Sequence, residues 1–228
     1  MSSVPLFVAD SLDAWTQPDS SQHNGFLLER PELCKQWNIQ AEIDDCAPDT
    51  ERFDTGRFEV TNGDPQDLLR SLQAAADAIV AKASLPEGIS QQIQEDICAI
   101  GSIVGQVCPN EKRIQIKLET MGEGVCSRWH RDYYVGRAIV TYNSHATQYT
   151  ADSNVDFWEL ENCGNNKCII RDTNEIRSIG VGDILFMKGA MFPNCTGLVH
   201  KSPEVKYHED GRVINRLVLK VDVPAPED

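Results

Sequence analysis

The chain has 228 residues, 41% of them apolar and 25% charged, so it can bury one sizeable core and does not read as a disordered segment. Its 21 lysines and arginines face 35 aspartates and glutamates, a formal charge of −14. A surface of that sign repels phosphate backbones and anionic lipid, which argues against nucleic-acid and membrane roles. The stretch from Met1 to Trp15 carries no basic residue, and nothing approaches the roughly 18 apolar residues of a membrane span. The expectation is a cytoplasmic protein whose cysteines, at 34, 46, 98, 108, 126, 163, 168 and 195, stay reduced. Cys163 and Cys168 bracket the turn sequence Gly164-Asn165-Asn166 and are expected to face each other across a hairpin.

Residues 1–62 are rich in Pro, Asp, Ser and Gln, with short apolar pieces at Phe26-Leu27-Leu28 and Trp37-Asn38-Ile39. They read as an extended preface, packed on a core formed later and carrying one or two strands. Residues 63–228 read as a single domain, with helices over 64–108 and a barrel over 112–222. Asp64 followed by Pro65 is a helix start, an N-cap and a first-turn proline. Leu68, Leu72, Ala76, Ile79 and Ala83 then recur at helical spacing, and Ile89, Ile93, Ile97, Ile100 and Val104 form a second stripe after Leu85-Pro86.

From residue 112 the period changes to two, as Ile114, Ile116 and Leu118 alternate with Gln115, Lys117 and Glu119. Further strands are expected at 125–130, 138–142, 155–160, 167–171, 184–187, 197–200 and 213–221. Short strands separated by turn residues, without crossover helices, suit a jelly-roll barrel better than a parallel sheet. The expected class is α+β, mainly β: a double-stranded β-helix of the cupin-like kind, with two bracing helices and the preface.

Trp129-His130-Arg131-Asp132 places an imidazole and a carboxylate two residues apart, where strand geometry aims both the same way. His200, 70 residues later, ends another strand candidate. Two histidines and one carboxylate with open positions opposite make the facial triad of non-haem Fe(II) sites. On the last strand Arg216 lies between Ile214 and Val218, and an arginine on an apolar inward face needs an anion that fits its fork. Arg212 competes for that role. His23, His145 and His208 read as ordinary polar residues. Cys126 reads as an inert thiol near the site.

With these residues in place, segment 112–222 resembles the Fe(II)/2-oxoglutarate-dependent dioxygenases. That likeness implies His130, Asp132 and His200 as iron ligands and Arg216 as the anchor of the far carboxylate of 2-oxoglutarate. It also implies dioxygen and a small-molecule substrate oxidised at a C–H bond. The usual Ser or Thr two residues after the basic anchor is replaced here by Val218. The C-terminal half is also similar to an uncharacterised family of fungi and bacteria. Its pattern is met by His130, Asp132, Arg137, Tyr142, Lys188, Gly189, His200, Ser202, Pro203 and Arg216. On this reading Tyr142 joins Arg216 at the co-substrate, while Arg137, Lys188 and Trp129 contact substrate. The alternatives are a metal-dependent enzyme of the same fold that does not use 2-oxoglutarate, and a barrel that binds metal or ligand without turnover.

Overall fold

Asp64 starts the helical part as expected. Its carboxylate accepts from the backbone N–H groups of Gln66 and Asp67, and α1 runs Pro65–Ala83. In the computed structural model, which describes residues 5–31, 33, 54–162 and 164–226, α1 lies antiparallel to α2, Glu87–Val107. The two stripes face a common core, where Gly101 of α2 accepts Leu72 of α1 so closely that a Cβ would collide with it. Among the described residues no helix is long and apolar enough to cross a membrane.

The helices cover one face of a seven-stranded sheet. Its strands are β1 (Leu6–Ala9), β2 (Gly25–Leu28), β3 (Phe58–Thr61), β4 (Arg113–Met121), β5 (Gly136–Thr141), β8 (Ile184–Lys188) and β10 (Arg216–Val223). The order is β1-β2-β8-β5-β10-β4-β3, antiparallel throughout except for the parallel pair β1 and β2. A second sheet, β7-β6-β9, is built from β6 (Gln148–Tyr149), β7 (Arg177–Ser178) and β9 (His200–Lys201). The protein is thus a mixed α/β structure dominated by antiparallel strands.

Period-two alternation decides which layer each side chain joins. Leu217, Leu219, Val221 and Val223 of β10 enter the core shared with α1 and α2. The opposite face of the large sheet turns Leu185 and Met187 toward Ala146, Ile179 and Leu198 of the second layer. β1 and β2 of the N-terminal segment extend the large sheet through β2 and β8, and Trp15, Phe26 and Phe186 cluster with centroids 5.5 to 6.0 Å apart.

Two expected strands are helices instead. Residues Phe157–Asn162 form α3 and Asn166–Ile169 form α4, because the side chains of Asp156 and Asn165 cap the N–H groups of Glu159 and Lys167. Only Val155 and Ile170 keep a β-bridge between them. The Cys163–Cys168 hairpin therefore fails as a turn between strands. Cys168 sits exposed on α4, while Cys163, like Cys34, Cys46 and the Trp37–Ile39 piece, lies outside the described residues.

Candidate metal centre

Segment 125–130, expected as a strand, contributes one bridge. His130 and His200 exchange two backbone hydrogen bonds of 3.0 Å each, so His130 prolongs the second sheet beyond β9. The exchange sets the two rings side by side, centroids 4.5 Å apart. Each Nδ1 rests on a backbone carbonyl oxygen, His130 on Arg128 at 2.7 Å and His200 on Leu198 at 3.0 Å. A carbonyl can only accept, so each Nδ1 carries the hydrogen and each Nε2 is left as the ligating atom.

Asp132 completes the group. Its Oδ1 lies 3.5 Å from His130 Nε2 and its Oδ2 3.7 Å from His200 Nε2. One ligand atom from each of the three lies within 4.8 Å of the others. Ligands about 2.1 Å from an ion at right angles are about 3 Å apart, so a small contraction closes the set on a cation. The donors, two imidazole nitrogens and a carboxylate oxygen, suit Fe(II).

Electrostatics grade the three. Burial pushes the Asp132 carboxyl up, but the His130 hydrogen bond and the charges of His200, Arg137 and His130 outweigh it and hold it far below the carboxylate range. Burial pushes His200 down to about 4, so this imidazole is neutral at physiological pH. Burial also acts against the charge on His130, yet its bond to Asp132 and the Arg128 carbonyl raise it.

Two features that the sequence reading did not assign position Asp132. The first is an Arg137–Asp222 clamp. Arg137 Nη1 donates to Asp132 Oδ2 at 2.8 Å, while its Nε and Nη2 fork onto Asp222 at 2.6 and 3.0 Å. Asp222 pairs across the sheet with Arg137, and Tyr134 stacks on the guanidinium at 4.6 Å. The second is Gly189. The backbone carbonyl of Asp132 accepts from Ala190, that of Tyr134 from Met191 and that of Val135 from Gly189. A Cβ on Gly189 would collide with the Tyr134 carbonyl, so only glycine lets the two segments dock. Asp222→Asn should loosen Arg137 and weaken metal binding by roughly 10- to 100-fold, the usual cost of losing a partner behind a ligand. Competition with a chelator measures it, and unchanged affinity would leave the clamp a purely structural contact.

Arg216 stands at the start of β10. Arg216, Val218, Lys220 and Asp222 share one face of that strand, so Arg216 points to the side of the sheet that carries the Arg137–Asp222 pair. It is buried; Nη1 reaches the His145 carbonyl only at 3.5 Å and Nη2 has no hydrogen-bond partner. Burial pushes its pKa down to about 10. Arg212, its rival, is exposed and paired with Asp210 at 2.7 Å.

A family model described as a protein of unknown function (DUF1826) matches residues 41–222. The chain belongs to the DUF1826 family. Comparison with curated proteins finds no match. Among solved structures, the selenomethionine-labelled Fe(II)/α-ketoglutarate-dependent dioxygenase TqaL is similar, with a TM-score of 0.50 and 12% identity over 95% of this chain and 86% of that one. The dioxygenase for auxin oxidation 1 from Arabidopsis thaliana, in its 2-oxoglutarate complex, gives a TM-score of 0.49 and 9% identity over 99% and 94%. At 12% identity the likeness to TqaL is one of fold alone.

Three residues of this DUF1826 chain expected at the site stand elsewhere. Tyr142 is fully buried on the helix side of the sheet, where its hydroxyl donates to Asp96 at 2.7 Å, so it does not meet a co-substrate. Lys188 points the same way, with Nζ donating to the Ser21 carbonyl at 3.0 Å and lying over the rings of Phe26 and Phe192. Trp129 is buried on the outer face of the second sheet, among Val155, Leu160, Ile169 and Val199. Arg137 does reach the triad, but both sides of its guanidinium are committed to carboxylates, which makes it a positioning residue. Cys126 is exposed.

Proposed function

We propose that the chain is a non-haem Fe(II)- and 2-oxoglutarate-dependent oxygenase acting on a C–H bond of a small molecule. Residues 63–228 form the catalytic unit, and the two sheets are the two walls of a double-stranded β-helix. One observation carries the reading: a buried Arg216, its Nη2 without a hydrogen-bond partner, lies on the side of the large sheet that carries the Arg137–Asp222 pair behind Asp132. Iron with 2-oxoglutarate supplies oxidation by dioxygen, coupled to decarboxylation of the co-substrate.

The chain's own residues do the rest. His130, Asp132 and His200 would hold the ion from one side and leave the opposite side open. Arg128 and Leu198 fix the tautomers through their carbonyls, and Arg137 holds the carboxylate. Arg216 would receive the far carboxylate, giving Nη2 the acceptor it lacks. His200 is nearly buried and His130 about one-third exposed, which sets the solvent-facing entry on the His130 side.

Anaerobic Fe(II) titration tests the ligands. His130→Ala, Asp132→Ala and His200→Ala should each abolish stoichiometric iron binding, while His23→Ala and His208→Ala bind normally. Full iron content in any two of the triad variants would sink the assignment. In the wild type, adding 2-oxoglutarate should bring up the charge-transfer band of its iron chelate. Iron binding without that band would favour the same fold working without 2-oxoglutarate.

A further inference from the structure

Behind the metal centre lies a second concavity. A cleft of about 600 Å³ opens on the outer face of the small sheet and includes Arg128, Trp129, Lys167, Ile170, Lys201 and Glu204 in its lining. Ligand sites of small molecules fall in this size range. Its charge runs against that of the protein: three cations less one anion give +2 at the lining, in a chain of −14. Lys201 is buried, with its ammonium 5.8 Å from the centroid of the Trp129 ring and 2.8 Å from Glu204 Oε1. Glu204 itself is about three-quarters exposed, so this buried cation is met by a carboxylate that costs little to displace.

We propose that the cleft binds a small organic anion with a flat apolar body. Its anionic group takes the place of the Glu204 carboxylate on Lys201, within the field of Arg128 and Lys167. The body lies over Ile176, the partly exposed apolar residue of the lining, with the buried Trp129 and Ile170 beneath it. Trp129 and Lys201 are the chain neighbours of His130 and His200, with side chains on the opposite face of the same sheet. The cleft is therefore separate from the triad, and the inference stands whatever the triad holds.

Calorimetric titration of the full chain with three probes tests it: naphthalene-2-carboxylate, the uncharged naphthalene-2-methanol and inorganic phosphate. The carboxylate should bind one per chain, about tenfold or more tighter than either of the others. Lys201→Met should weaken it at least as much, and so should Lys167→Glu, an exposed change with no folding cost. Glu204→Gln should tighten it by removing the competing carboxylate, and His130→Ala should leave it unchanged. Equal binding of the acid and the alcohol would overturn the proposal, as would phosphate binding as tightly as the acid. A weaker complex in Glu204→Gln, or a loss in His130→Ala with none in Lys167→Glu, would also overturn it.

Discussion

Arg216→Gln is expected to weaken 2-oxoglutarate by roughly 10- to 150-fold, the span of a charge-assisted contact of about 1.5 to 3 kcal/mol. The upper part of that range is favoured here, because Val218, two residues along the same face, offers no hydroxyl to share the carboxylate. Arg216→Lys should lose less, since the charge persists while the fork does not. Iron affinity should hold, as the arginine lies outside the ligand group. Succinate formed against 2-oxoglutarate concentration measures the effect, with Arg212→Gln as an unchanged control. Stability provides a separate readout. A guanidinium buried without a counter-charge costs the native state free energy, so Arg216→Gln without co-substrate should unfold no earlier than wild type. Superimposed succinate curves for wild type and Arg216→Gln, or a variant that simply melts earlier, would make Arg216 a structural residue.

The largest expected loss of stability is at Asp96. From α2 its carboxylate receives Nη1 and Nη2 of Arg30 at 2.6 and 3.0 Å, the hydroxyl of Tyr142 at 2.7 Å and the amide of Gln92 at 2.9 Å. Arg30 also bonds the turn before β8, Nε to the Gly182 carbonyl and its backbone N–H to Asp183, both at 2.6 Å. One carboxylate thus ties the N-terminal segment, a helix and two parts of the sheet. Asp96→Ala takes the acceptor from Nη1 and Nη2 of Arg30 and from the fully buried Tyr142 hydroxyl, a cost of about 3 to 5 kcal/mol. For a chain of this length each kcal/mol moves Tm by about 2 to 4 °C, so a fall of roughly 6 to 20 °C should follow in a thermal scan. Tyr142→Phe removes one donor and leaves the ion pair, and should cost only about 1 kcal/mol. Equal, small shifts in both variants would mean that the network contributes little.

The helices and the long strand were legible because local chemistry and period agreed: the Asp64 cap, two apolar stripes, and clean alternation through β4. The grouping of His130, Asp132 and His200 was expected from strand parity, although only His130 forms a β-bridge and Asp132 lies in the irregular stretch after it. The same rule, applied once more, would have sorted the misplaced residues. Tyr142 is an odd number of positions from Arg137, Lys188 is one from Met187, and Trp129 is one from His130, so each faces away from its partner. Matching a motif in chain order hides that parity. Asp222 was missed for another reason. It sits 85 residues from Arg137, and only the register of β5 against β10 makes them neighbours. The short helices α3 and α4 escaped notice because their caps, Asp156 and Asn165, begin runs too short to show a helical period.

His130 and His200 are joined by their own backbones, yet 70 residues of chain separate them. A ribosome must therefore release most of the protein before the triad can exist, and an unfolded chain cannot offer it at all. An ion that binds only the folded form adds about 2.7 kcal/mol of stability when free iron is a hundredfold above Kd. Differences of that size change how often a protein opens to proteases, and so its abundance. If the triad holds iron as proposed, the iron-loaded chain should therefore resist proteolysis longer than the iron-free chain.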